Sequence, residues 1–144
     1  MSRAPSWLLP ALASAFFAGL TAILGKAAVV EIDPDLATLL RTVVIMLLTA
    51  GVVAARGAWS RPSALSGRGA LFIVLSGIAT GLSWLFYYRA LRVGPASRVA
   101  PVDKLSVVFA MALAAVFLGE TISWRAAAGG ALIVAGAVLI ASGG

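Results

Sequence analysis

The chain has 144 residues, 62% of them apolar and only 11% charged, whereas a soluble domain carries roughly half and a quarter. It reads as one domain, residues 1–144, embedded in a lipid bilayer. The net charge of +6 comes from single arginines scattered between apolar runs, which excludes a nucleic-acid-binding face, and with no cysteine or histidine there is no thiol, disulfide or imidazole chemistry. No cofactor and no metal are expected.

Five apolar stretches, about 7 to 29, 36 to 55, 70 to 91, 96 to 118 and 124 to 142, are each long enough to cross about 30 Å of hydrocarbon as a helix. The fold class predicted is therefore an all-α integral membrane protein with five transmembrane helices. Ala13-Ser14-Ala15 could mimic a signal-peptide cleavage site, but the apolar run before it is short and interrupted by Pro10, and hydrophobicity continues beyond it. The segment reads as an uncleaved first helix. Lys26, near its end, is expected to snorkel or to pair with the acidic connection Glu31-Ile32-Asp33-Pro34-Asp35. There Pro34 and Asp35 stop one helix and cap the next. Arg41 sits about six residues into the second helix, deeper than snorkelling reaches without a partner, so an internal pair and a substrate contact are both open.

The longest connection, from Arg56 to Gly69, holds Arg56, Arg61 and Arg68. In the third helix Gly77 and Gly81 have the spacing of small residues that let helices approach closely. Trp84, Tyr87 and Tyr88 follow at i, i+3 and i+4 and share one face, which fits an interfacial aromatic belt as well as a pocket wall. The fourth stretch carries Arg98, Asp103 and Lys104. At about 1.5 Å per residue from Pro95, Asp103 and Lys104 lie roughly 12 Å in, near mid-bilayer. A charge there costs on the order of 3 kcal/mol, which makes the two a functional-site hypothesis. Successive residues point about 100° apart, so each is expected to find a partner on another helix. Pro101 has no amide for the Ser97 carbonyl and predicts a helix break, the device with which transporters build midplane sites. A hydroxyl of Glu120-Thr121-Ile122-Ser123 is expected to cap the fifth helix, and Gly129, Gly130 and Gly136 notch that helix for packing, within the chain or against a second copy. With the N-terminus inside, Arg3, Arg56, Arg61, Arg68 and Arg125 are inner and Lys26, Arg89, Arg92 and Arg98 outer. Five against four hardly sets an orientation.

Tyr87-Tyr88-Arg89-Ala90-Leu91, Gly94, Ala96-Ser97, Ala100-Pro101, Phe117-Leu118-Gly119-Glu120, and Gly129-Gly130 with Gly136 together form a pattern that resembles the EamA domain of the drug/metabolite transporter superfamily. Lys26, Pro34 and Arg41 have similar spacings in the first two helices of that domain, and the resemblance covers nearly the whole chain. It implies one half of a ten-helix inverted-repeat bundle, of the short single-domain five-helix type. Because five spans invert a second copy, an antiparallel homodimer or paralogous heterodimer would rebuild the bundle. Ser106 stands where longer relatives tend to have proline, a departure from their pattern.

The reading is a secondary transporter of small metabolites or drug-like molecules working by alternating access in the cell membrane, with the lipid bilayer, a small-molecule substrate and a second copy as partners. Asp103, Lys104, Arg41, Tyr87, Tyr88 and Ser106 are the candidate substrate or coupling-ion residues. No nucleotide-binding loop is present, so an ion gradient would drive it. A non-transporting scaffold or accessory subunit is the alternative, with the charges as intersubunit glue. An enzyme is not expected, because the spans hold no second carboxylate and no Ser-Lys or His-Glu arrangement.

Overall fold

A computed structural model describes residues 5–59 and 65–143. Arg3 and Arg61 of the charge balance lie outside them. Among the described residues there are six helices and no strand: α1 Leu8–Glu31, α2 Pro34–Ala55, α3 Gly67–Val93, α4 Ala96–Asp103, α5 Ser106–Leu118 and α6 Trp124–Ser142. Five spans are long and apolar enough to cross a membrane, the fourth of them, Ala96–Leu118, being α4 and α5 together. This is the predicted class of multi-pass helical membrane protein.

Local chemistry sets the ends. Asp33, not Asp35, caps α2: its Oδ1 accepts from the amides of Asp35 and Leu36, with Pro34 in the first turn where a missing amide costs nothing. Asp35 is thereby left to pair elsewhere. Ser123 Oγ caps α6 by accepting from the Ala126 amide. Gly119 closes α5 in the left-handed region, φ 68°, where a side chain would clash and glycine does not. That conformation is a physical reason for a Gly-Glu ending.

The chain divides into two compact units, residues 25–92 and the segments on either side. In the first, Val29, Ala37, Tyr88 and Leu91 are buried. Buried Thr38 donates its hydroxyl to the Pro34 carbonyl of its own helix. In the second, α4 and α5 pack on α6. Gly130 faces Met111 and Val108 of α5 there, and a Cβ added to it would meet the Met111 side chain at 3.6 Å. Phe16, Phe17, Leu47, Leu75 and Leu132 are exposed. Side chains of this size facing outward on every span are what a lipid-facing surface requires.

Two helix ends in the first unit are closed by side chains from each other. Lys26 Nζ on α1 donates to the Leu91 carbonyl near the end of α3 at 2.6 Å. Arg92 on α3 donates to the Val29 carbonyl and, at 3.2 Å, to that of Ile32 at the end of α1. A helix leaves its last four carbonyls without internal partners and its C-terminus partially negative, so a cation is the favourable cap. A carbonyl of α3 is thus one partner of Lys26. Replacing Arg92 with Met removes the donor and should lower the stability of the detergent-solubilised protein by about 1–3 kcal/mol, with Arg92→Lys recovering part of it, as read by thermal unfolding.

Candidate functional site

The candidate residues fall into two clusters, one in each unit. The first is built around Tyr88, which the reciprocal caps hold at the end of α3. Its ring end lies against α1: a Cβ added to Gly25 would sit 3.1 Å from the Tyr88 hydroxyl. Only glycine lets the two helices come this close without moving the ring. The Tyr88 hydroxyl accepts from Arg41 Nη1 at 3.1 Å. The Arg41 guanidinium lies 4.0 Å from the Trp84 ring centroid and 5.3 Å from that of Tyr88, so two aromatic faces surround it. Cation–π contacts of this kind reach about 2 kcal/mol when desolvated, comparable with the cost of an arginine in the hydrocarbon layer. Tyr87, at 6.2 Å from Tyr88 between centroids, flanks the cluster. Trp84 was read from the sequence only as one of three aromatics on a face; its i, i+4 spacing to Tyr88 was the available signal. Gly25 and the Arg41–aromatic contact had none, since they depend on residues far apart in the chain.

Arg89, the residue after Tyr88, is bound to Asp35. Its Nε and Nη2 bind Asp35 Oδ1 and Oδ2 at 2.9 and 2.7 Å, a two-pronged fit of guanidinium to carboxylate. Between α2 and α3 runs a groove of about 440 Å³ lined by Thr42, Met46, Ser76, Gly77, Thr80 and Trp84, among others.

The second cluster is at the interruption of the fourth span. Pro101 lies inside α4, and the helical bonding changes beyond it: the amides of Lys104 and Leu105 bond three residues back, to the carbonyls of Pro101 and Val102. The bond to a position four back resumes with Phe109 on Leu105. Lys104 Nζ reaches Asp103 Oδ2 at 3.5 Å. This corrects the expectation of partners on other helices, because the four-carbon stem of lysine spans the angle that separates neighbouring residues. At that length, with both side chains partly exposed, the contact is a loose one. Ser106 is exposed in the first turn of α5. Lys104 and Pro101 line a second groove of about 440 Å³ together with Leu132, Ile133 and Gly136 of α6.

The glycines separate into two kinds. Gly130 packs on α5, whereas a Cβ added at Gly77, Gly81, Gly129 or Gly136 would meet none of the described residues of its own unit within 4 Å. Gly77 and Gly81 line the α2–α3 groove and Gly136 the α4–α6 groove. Among the described residues, no group of three or more acidic side chains is arranged to hold a metal. Gly25→Ala should destabilise the solubilised protein by about 1–3 kcal/mol through overpacking on Tyr88, whereas Gly77→Ala should stay within about 0.5 kcal/mol, both measured by thermal unfolding.

Residues 5–142 match the EamA-like transporter family. A protein of a Sinorhizobium species, named an uncharacterized transporter in the cobO 3' region, is 52% identical over 136 residues, which cover 94% of this chain and 96% of that protein. No solved structure matches significantly. With nearly its whole length inside the family match, the chain belongs to the EamA-like transporter family.

Proposed function

We propose that the protein is a secondary transporter of the cell membrane that moves small metabolites or drug-like molecules by alternating access, two copies in antiparallel orientation enclosing the pathway. The observation that carries this reading is the interrupted fourth span. Asp103 and Lys104 stand about 10 Å from the start of α4, held to each other by a loose contact and bordering a groove. A carboxyl that can exchange its partner is what an ion-coupled cycle needs, because protonation or cation binding at Asp103 releases Lys104. Ser106, Arg41, Tyr87 and Tyr88 are further wall residues in this reading. The near-equal Lys and Arg balance supports insertion in both orientations. The notches at Gly77, Gly81, Gly129 and Gly136, open among the described residues of each unit, suit close approach by a second copy.

Coupling is tested in proteoliposomes loaded with a pH-sensitive dye under an imposed pH gradient, with a panel of organic anions, zwitterions and cations added outside. In the wild type one class should dissipate the gradient, and Asp103→Asn should reduce that flux by at least about tenfold, general acid–base and charge-coupling roles being worth that much or more. Equal flux in wild type and Asp103→Asn removes Asp103 from the coupling mechanism. Orientation is tested by labelling single cysteines, Ser66→Cys and Gly143→Cys, from each side of the membrane. Comparable labelling of each position from both sides is the expected result; single-sided labelling would rule out self-inversion.

A further inference from the structure

Among the described residues Arg41 is bonded to neither a carboxylate nor a backbone carbonyl, in contrast to Arg89 and Arg92. Arg89 is held by Asp35, and Arg92 is taken up by carbonyls at the end of α1. Among the described residues no carboxylate lies within ion-pair distance of Arg41, although it stands seven residues beyond Pro34, about 10 Å into a membrane span. Its guanidinium carbon lies over the Trp84 ring, 4.0 Å from the centroid. Of the five N–H donors of the guanidinium, one is directed to Tyr88. The Tyr88 hydroxyl accepts that bond and retains a proton of its own to donate. The site therefore offers a fixed positive charge and further N–H donors beside the Tyr88 hydroxyl, and among the described residues no carboxylate pairs with that charge.

The adjoining α2–α3 groove has the opposite character. Its threonine hydroxyls are turned to their own helices: Thr42 Oγ1 donates to the Thr38 carbonyl and Thr80 Oγ1 to that of Ser76, both at 2.8 Å. No charged side chain lines it, and Ile45, Met46 and Ile73 supply apolar walls. Trp84 belongs to both places, lining the groove while carrying Arg41 on its ring.

We infer that Arg41, Tyr88 and Trp84 form a binding site for the carboxylate of an amphipathic organic anion whose apolar body lies along the α2–α3 groove. The assignment rests on the transporter reading for its physiological meaning, since it names the substrate class as small carboxylates with an apolar portion. It does not rest on that reading for the binding itself. A groove of about 440 Å³ lies within the range of small-molecule sites.

The test uses the full chain in phosphatidylcholine nanodiscs with Trp7, Trp59 and Trp124 replaced by Phe, so that Trp84, one of four tryptophans, alone reports. Cyclohexanecarboxylate, its amide and cyclohexylmethylammonium are titrated as matched probes. The carboxylate should shift Trp84 emission saturably, with the amide and the ammonium at least about tenfold weaker, as loss of a charge-assisted bidentate contact implies. Arg41→Gln should abolish the carboxylate preference, and Arg41→Lys, which keeps the charge without the planar fork, should retain it at several-fold weaker binding. Equal binding of carboxylate and amide by the otherwise unaltered site would overturn the assignment without recourse to any Arg41 variant. So would a shift produced by phosphatidylglycerol in the nanodisc that blocks the carboxylate, because the oxyanion would then be a lipid phosphate. Flux measurements separate this inference from the function it deepens. Asp103-dependent transport of another compound class without carboxylate binding leaves the transporter and removes the site; Arg41-dependent carboxylate binding without flux of any compound leaves the site and removes the transporter.

Discussion

Hydrocarbon cannot supply a hydrogen bond, so every carbonyl at the end of a membrane helix needs a donor from the protein or from the interface. In residues 25–92 that requirement is met by exchange: α1 sends Lys26 to the end of α3, and α3 sends Arg92 to the end of α1. Both bonds fix the same pair of helix ends, and the two side chains that lie fully buried, Val29 and Leu91, are the residues whose carbonyls are capped. The Tyr88 ring is then confined between Gly25 and its own helix, and its hydroxyl is the fixed point to which Arg41 reaches. The position of a polar site in the span thus follows from how two helices are terminated.

The arginines of this unit show how partner chemistry sorts equal charges into different roles. Arg89 and Asp35 satisfy each other fully and sit where helix ends meet the polar layer, a structural tie. Arg92 acts on carbonyls, which carry only partial charge, and stabilises a helix end. Arg41 has aromatic faces, which offset part of its desolvation, and one hydrogen bond, to Tyr88. Lys104 and Asp103 fall between these cases, paired but at 3.5 Å, in a turn where the backbone bonding is itself altered. Charges that are tied tightly hold a fold together, and charges that are tied loosely at depth can change partners during a cycle.

The five spans were legible because span length and apolar composition are properties of contiguous sequence. The proline and the charges of the fourth span were legible for the same reason, and so was a hydroxyl cap in the last connection, where Thr121 and Ser123 stood as equals and Ser123 is the cap. Placement of the interruption was less so, since Pro101 remains inside α4 and the tightened turn falls at Lys104 and Leu105. The misreadings share a cause. Asp33 rather than Asp35 as the cap and Asp103 as the partner of Lys104 are both choices among groups within reach. Such choices depend on backbone geometry that residue types alone do not determine. The role of Gly25 was hidden for another reason, because its neighbour in space is Tyr88, more than sixty residues away.

Among the described residues only a handful of apolar side chains are buried, whereas large ones on every span face outward. Outward side chains of this kind are matched by a bilayer rather than by water. Lipid suits the outward phenylalanines and leucines, but it does not suit a turn whose amides bond three residues back beside an exposed lysine and aspartate. Irregular backbone at membrane depth persists where it is covered by protein or lines a water-filled space. The segment from Pro101 to Ser106 is thus the part of the fourth span least compatible with lipid, and the physical demand it makes, water or a second protein surface at mid-membrane, is the demand that a transport pathway fulfils.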